Sequence, residues 1–214
     1  MTIDKALRAL EAFQADSLTE SLANIEHHII GSGVEDVDGF CEARGIDDGI
    51  MDSAIAVKRV AGQINVIIHA AGILRSLSGV LEPGEKVESV SLGAGNTGRQ
   101  FDLETNIRVA EYKFIDWQGG SESIRQNGIF KDFFELAEHE TYKKKYLYVV
   151  GTDHPLRFFN GGRALTSVLS RHPKILARIQ EKYGDNIRQV RDYYEMKKNE
   201  VTICDVTPHI GRSA

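Results

Sequence analysis

The stretch FDLETNIRVAEYKFI, residues 101–115, alternates apolar and polar side chains on either side of Asn106 and Ile107. A period of two over both arms leaves little choice but two short strands folded back on each other. A turn between Asn106 and Ile107 places Asp102 opposite Glu111. Because successive strand side chains point to opposite faces, Asp102, Glu104, Val109, Glu111 and Lys113 share one face. Phe101, Leu103, Ala110, Tyr112 and Phe114 share the other, an apolar set suited to packing against a helix. The pattern is that of a half-buried hairpin.

Opposed carboxylates repel, so this arrangement is costly unless a cation lies between them. Mg²⁺ suits that place, being a hard ion that takes one or two carboxylates and leaves its remaining positions to water and phosphate. A metal so held can polarise a phosphoryl oxygen and lower the pKa of a bound water. Lys113, two residues beyond Glu111 and on its face, is placed to orient that water or to stabilise charge developing on a phosphate. The same string also describes an ordinary amphipathic hairpin with an acidic outer face, so the surrounding elements must decide.

Those elements read as follows. Ser17 to Glu20 forms a capping box ahead of Leu18, Leu22, Ile25 and Ile29, with Gly31 placed to end that helix. A further helix is expected from about Glu35 to Arg44, and a longer one, capped by Asp52 or Ser53, carries Ile55, Val60, Ile64, Ile67, Ala71 and Leu74 at helical spacing. His69 within it reads as a packed or hydrogen-bonded core residue. Pro83 and Gly84 end the helix, KVESVSLGAG reads as a strand, and the hairpin follows. Residues 117–121 form a turn before a helix with Ile124, Ile129, Phe133, Phe134, Leu136 and Ala137 on one stripe. KYLYVVGT is a strand of the sort buried on both faces. Helices are expected at about 162–170, 174–183 and 185–199, and EVTICDV reads as a last strand.

A chain of 214 residues with 42% hydrophobic and 27% charged residues can bury one proper core. No stretch reads as long and uncharged enough to span a membrane, and the first residues lack a secretory pattern, so no membrane partner and a cytoplasmic setting are expected. Cys41 and Cys204 have no metal-type spacing. The net charge of −5 argues against a strongly basic coat protein, yet the charge is uneven. Residues 1–142 hold 12 basic against 24 acidic side chains, and residues 143–214 hold 14 against 7. The basic run opening with Lys143, Lys144 and Lys145 is compatible with a polyanion track, and equally with solvated helix faces.

GAGNTG, residues 93–98, matches a dinucleotide-binding string, but that motif needs its last glycine to open a helix facing the pyrophosphate. Here a hairpin follows, so the run reads as a rim loop in which Asn96 and Arg99 would contact substrate, and no organic cofactor is expected.

The order helix, three strands, helix, strand, with Asp102 on the second strand and Glu111-x-Lys113 on the third, resembles the PD-(D/E)xK nuclease superfamily. The resemblance covers about residues 54–152. It implies an α/β fold with a restriction-endonuclease-like core: a mixed central sheet flanked by helices, from residues 53–152, with helical extensions at 1–52 and 153–214. It also implies that Asp102, Glu111 and the carbonyl of Tyr112 bind Mg²⁺ or Mn²⁺ and that Lys113 positions the attacking water. Gln126, in the helix after the third strand, takes the place of a glutamine that some branches use for phosphate or water. Phe130 stands where those branches carry tyrosine. Many members place a further acidic ligand on the first core helix, whereas residues 54–80 contain no Asp or Glu. Glu104 is the alternative source of that oxygen. The expected function is metal-dependent cleavage of nucleic acid, DNA being favoured, and a homodimer or partner subunit could form through the N-terminal helices. The alternative is a nuclease-fold module that binds nucleic acid or protein without cutting.

Overall fold

The structure is a computed structural model that describes residues 2–46, 48–93, 98–114, 117 and 122–211. It divides into two compact units at Asn65 and Val66.

The first unit contains α1 (Ile3–Gln14), α2 (Leu18–Ile29), α3 (Val34–Ala43) and the opening turns of α4 (Asp48–Val80). Ser17 caps α2 as expected, its hydroxyl accepting from the Glu20 N–H at 3.4 Å. α4 begins earlier than Asp52. Ser53 is not its cap, because its hydroxyl donates back to the Gly49 carbonyl at 2.6 Å, one turn earlier in a helix already formed. The expectation that no stretch is long and apolar enough to cross a membrane is also corrected. Gly49–Val80 is a single helix that meets that condition by length and composition alone. Its last turns are committed to protein, with Ile73, Ser76 and Val80 buried.

The second unit is an α/β structure built on one five-stranded mixed sheet, in the order β1 (Val87–Val90), β2 (Leu103–Thr105), β3 (Arg108–Lys113), β4 (Lys144–Val149), β5 (Val201–Asp205). β1, β2 and β3 pair antiparallel, and β3, β4 and β5 pair parallel. The hairpin register is the one expected, with Leu103 opposite Ala110 and Glu104 opposite Val109. A parallel β3–β4 pair requires a crossover, which α5 (Ser123–Glu138) supplies. α4, three strands, α5 and β4 thus follow the expected order.

Helices cover both faces of the sheet. On one, Ile73 and Val80 of α4 pack on Leu103, Ala110, Tyr112, Phe114 and Tyr148. On the other, Ile129, Phe130, Phe133 and Leu136 of α5 pack on Val109, Leu147 and Val149. The hairpin is therefore not half-buried. Its charged face lies under α5, and that alters the electrostatics of every ionisable group on it. Ile124 departs from the expected α5 stripe and is exposed.

Beyond β4 come α6 (Asp153–Phe159), α7 (Leu165–Val168), α8 (Pro173–Tyr183), α9 (Val190–Lys197) and, after β5, α10 (Thr207–Ile210). α6 was not anticipated: its Pro155 lies in the first turn, where a missing N–H costs nothing. Phe159, Leu165, Val168, Ile179, Val190 and Tyr193 complete the cluster around α5, so residues 153–211 share its core and supply the fifth strand.

Candidate active site

Asp102 stands immediately before β2, where its carbonyl accepts the Ser91 N–H at 2.8 Å and ties it to the end of β1. Its side chain lies across the end of the hairpin. Oδ2 accepts the backbone N–H of Tyr112 at 2.9 Å, and Oδ1 meets Nε2 of His69 at 3.2 Å. His69 reaches it from α4, its ring edge-on to Phe114 with centroids 6.0 Å apart. Burial alone would push the Asp102 carboxyl up, but hydrogen bonds from His69 and the Tyr112 N–H, with the charge of Lys113, hold it below the usual range. Asp102 is the ionised member of the site.

Glu111, on the adjacent strand, has the opposite fate. Burial, and then the negative charges of Asp132 and Asp102, raise its pKa to about 9, and its carboxyl hydrogen-bonds Asp102. At neutral pH and without a cation, Glu111 keeps a proton and donates it to Asp102. Two carboxyl groups that can both ionise only when a positive charge joins them are the donor set that a hard divalent cation favours. Among the described residues no group of three or more His, Cys, Asp or Glu side chains converges as a ready-made cation cage. Mg²⁺ does not need one, since one or two carboxylates with water and phosphate oxygens complete its shell.

Lys113 forms an ion pair with Asp132 of α5 at 2.6 Å. Burial would lower its pKa, yet Asp132 and Glu111 raise it above the ordinary lysine value, so it stays cationic. Gln126 is buried on α5, its amide oxygen accepting from Arg163. Phe130 packs on Tyr193 with centroids 5.6 Å apart, which gives the side chain at this position a core role. Tyr112 turns its ring to the opposite sheet face, stacked on Phe114 and Tyr148, while its N–H serves Asp102.

Other expected contributors lie elsewhere. Glu104 is held by Lys143 at 2.7 Å, and the same ammonium binds Glu88 at 2.7 Å. Its carboxylate is engaged as a charge partner on the outer part of the sheet. Lys143, Lys144 and Lys145 do not form a free basic track. Lys144 binds Glu82 at 2.8 Å, and Lys145 donates to the Ala137 carbonyl at 3.0 Å. Lys144 is level with Arg108 whereas Lys113 is level with Val149, five residues further along β4. That places Lys144 about 16 Å from the level of Lys113 and about 10 Å from that of Glu111 along the strand. Arg99 donates to the Val90 carbonyl. Asn96 lies outside the described residues. Beyond Gly98 no helix forms before β2, so the glycine run lacks the helix that a dinucleotide site requires.

Two residues of the site were not expected there. Asp132 follows Ile129 by three and precedes Leu136 by four, so helical spacing already placed this acid on the buried stripe. His69 precedes Ile73 by four, on the face of α4 that meets the sheet. No protein-family model, curated protein or solved structure matches the chain.

Proposed function

We propose that this protein is a metal-dependent nuclease with a restriction-endonuclease-like core, hydrolysing phosphodiester bonds of nucleic acid and of DNA in particular. The observation that carries the reading is the pairing of Asp102 with Glu111 across adjoining strands, one ionised and the other held protonated by its neighbours, with a cationic lysine alongside.

Asp102 and Glu111, with the carbonyl of Tyr112, would hold Mg²⁺ or Mn²⁺. When bound, such an ion polarises a phosphoryl oxygen and makes a coordinated water more acidic. His69 keeps the Asp102 carboxylate oriented through Oδ1, and the Tyr112 N–H fixes Oδ2. Lys113, fully protonated, is a donor and not a base. It orients the attacking water by hydrogen bonding and offsets the negative charge that builds on the phosphate. Asp132 holds that ammonium in place. In the reaction the water oxygen bonds to phosphorus and passes a proton to solvent, while the bond from phosphorus to the leaving sugar oxygen breaks and solvent returns a proton to that oxygen. Gln126, about a third of a turn round α5 from Asp132 and accepting from Arg163, is left without a part in the reaction.

The test is cleavage of single-stranded and duplex DNA and RNA by purified protein with Mg²⁺ or Mn²⁺. Cleavage by the parent is expected, with a loss of at least about a hundredfold in Lys113→Ala and Asp102→Asn. Intact substrates of every form, or undiminished cutting by Lys113→Ala, would overturn the proposal.

A further inference from the structure

A cavity of about 160 Å³ opens beside Lys113, walled by Trp117, Ile129, Val149 and Pro155, with Ile124 and Arg125 toward its rim. We infer that this cavity receives one unstacked nucleobase of the strand being cut, so that the enzyme acts on single-stranded or locally unpaired nucleic acid. The inference rests on the nuclease reading for the identity of the strand, and on the cavity for everything else.

Size comes first. An apolar cavity of about 150 Å³ is enough to admit a benzene ring, so this one suits a single planar ring system and excludes a side chain with its backbone. Lining is the second point. Ile129, Val149 and Pro155 are apolar, and the Trp117 indole, 9% exposed, is held against Phe158 and His154 of α6. Position is the third. Because Lys113 forms one wall, an occupant lies next to the reacting phosphate, and the groups next to a phosphate on a nucleic acid strand are its sugar and base. The apolar lining rejects the hydrated sugar-phosphate and favours the base, whose face can stack on an indole. A base held in a duplex cannot enter such a cavity without being unpaired first.

Trp117 is the sole tryptophan of the chain, which makes its fluorescence a direct reporter of the cavity. Gly128 provides a way to fill it. It lines the cavity on α5, and a Cβ there would meet nothing within 4 Å, so Gly128→Leu projects into open space while improving helix propensity. The titration uses an eight-residue oligothymidylate, an abasic strand of the same length and charge, and the corresponding duplex, with Ca²⁺ in place of Mg²⁺. Saturable quenching by the oligothymidylate is expected, with the abasic strand and the duplex at least about tenfold weaker. Gly128→Leu, with an unchanged circular dichroism spectrum and melting temperature, should lose the same tenfold. Equal quenching by the abasic strand or the duplex overturns the inference, as does no quenching at all. Cleavage with Mg²⁺ measured in parallel separates the two claims. Cutting without quenching removes the base site and leaves the nuclease, whereas quenching without cutting keeps the base site and removes the nuclease.

Discussion

Glu111 carries the energetic cost of the site. Its pKa in the fold, about 9, exceeds the ordinary value of 4.5 because burial and the charges of Asp132 and Asp102 favour the protonated form. The folded state therefore binds this proton more tightly than the unfolded chain does. The stabilisation that follows is fully present below about pH 4.5 and is lost as pH rises through about 9. In the presence of a chelator, the urea midpoint should fall steadily between pH 5 and pH 9. Glu111→Gln, which is neutral throughout, should flatten that decline, and a parent profile as flat as the variant's would contradict the assignment. Which residues flank Glu111 was only partly legible beforehand. Asp102 falls opposite it by counting outward from a turn between Asn106 and Ile107, which fixes the register. Asp132 and His69 come from helices distant in the chain, and their pairing with Lys113 and Asp102 depends on how those helices settle on the sheet.

At the scale of elements, α4 brings His69 within reach of Asp102, and it does so by lying close to β3. A Cβ at Gly72 would approach the Phe114 ring to 2.5 Å. That ring cannot easily retreat, because it is stacked on Tyr112, itself 1% exposed. Gly72→Ala would gain about 1 kcal/mol of helix propensity, but overpacking costs about 1–3 kcal/mol, and the rigid ring favours the upper end. A net loss of about 1–2 kcal/mol in urea unfolding is expected. Unchanged or increased stability would show that α4 has room to shift. Asp52 and Ser53 resemble caps in the sequence, whereas Ser53 returns its hydroxyl to Gly49 within a helix already formed. α6 holds Pro155 in its first turn, where the ring does not break a helix.

On the scale of the whole molecule, both hydrophobic clusters lie within residues 66–214. In residues 2–65, Ala6 is the one buried hydrophobic residue among those described. Local opening free energy follows buried apolar contact, so stability is unevenly shared along the chain. Native-state hydrogen exchange should show amides of α1, α2 and α3 exchanging at least about a hundredfold faster than those of β3 and β4. Comparable protection in both regions would mean that the N-terminal helices bury more surface in solution than this structure shows.

The sequence by itself determined the hairpin register, the order of helices and strands around it, and the opposition of Asp102 to Glu111. These follow from periods of two and 3.6 that each segment carries within itself. Tertiary structure decided how each charged group behaves. Covering the hairpin with α5 turned a polar face into a buried one, and this separated an ionised Asp102 from a protonated Glu111. Lys113 was likewise paired with Asp132, while Lys143 was drawn to Glu104 at the far end of the strands. Electrostatic fate depends on burial and on partners brought from distant parts of the chain, and neither is written in the local pattern.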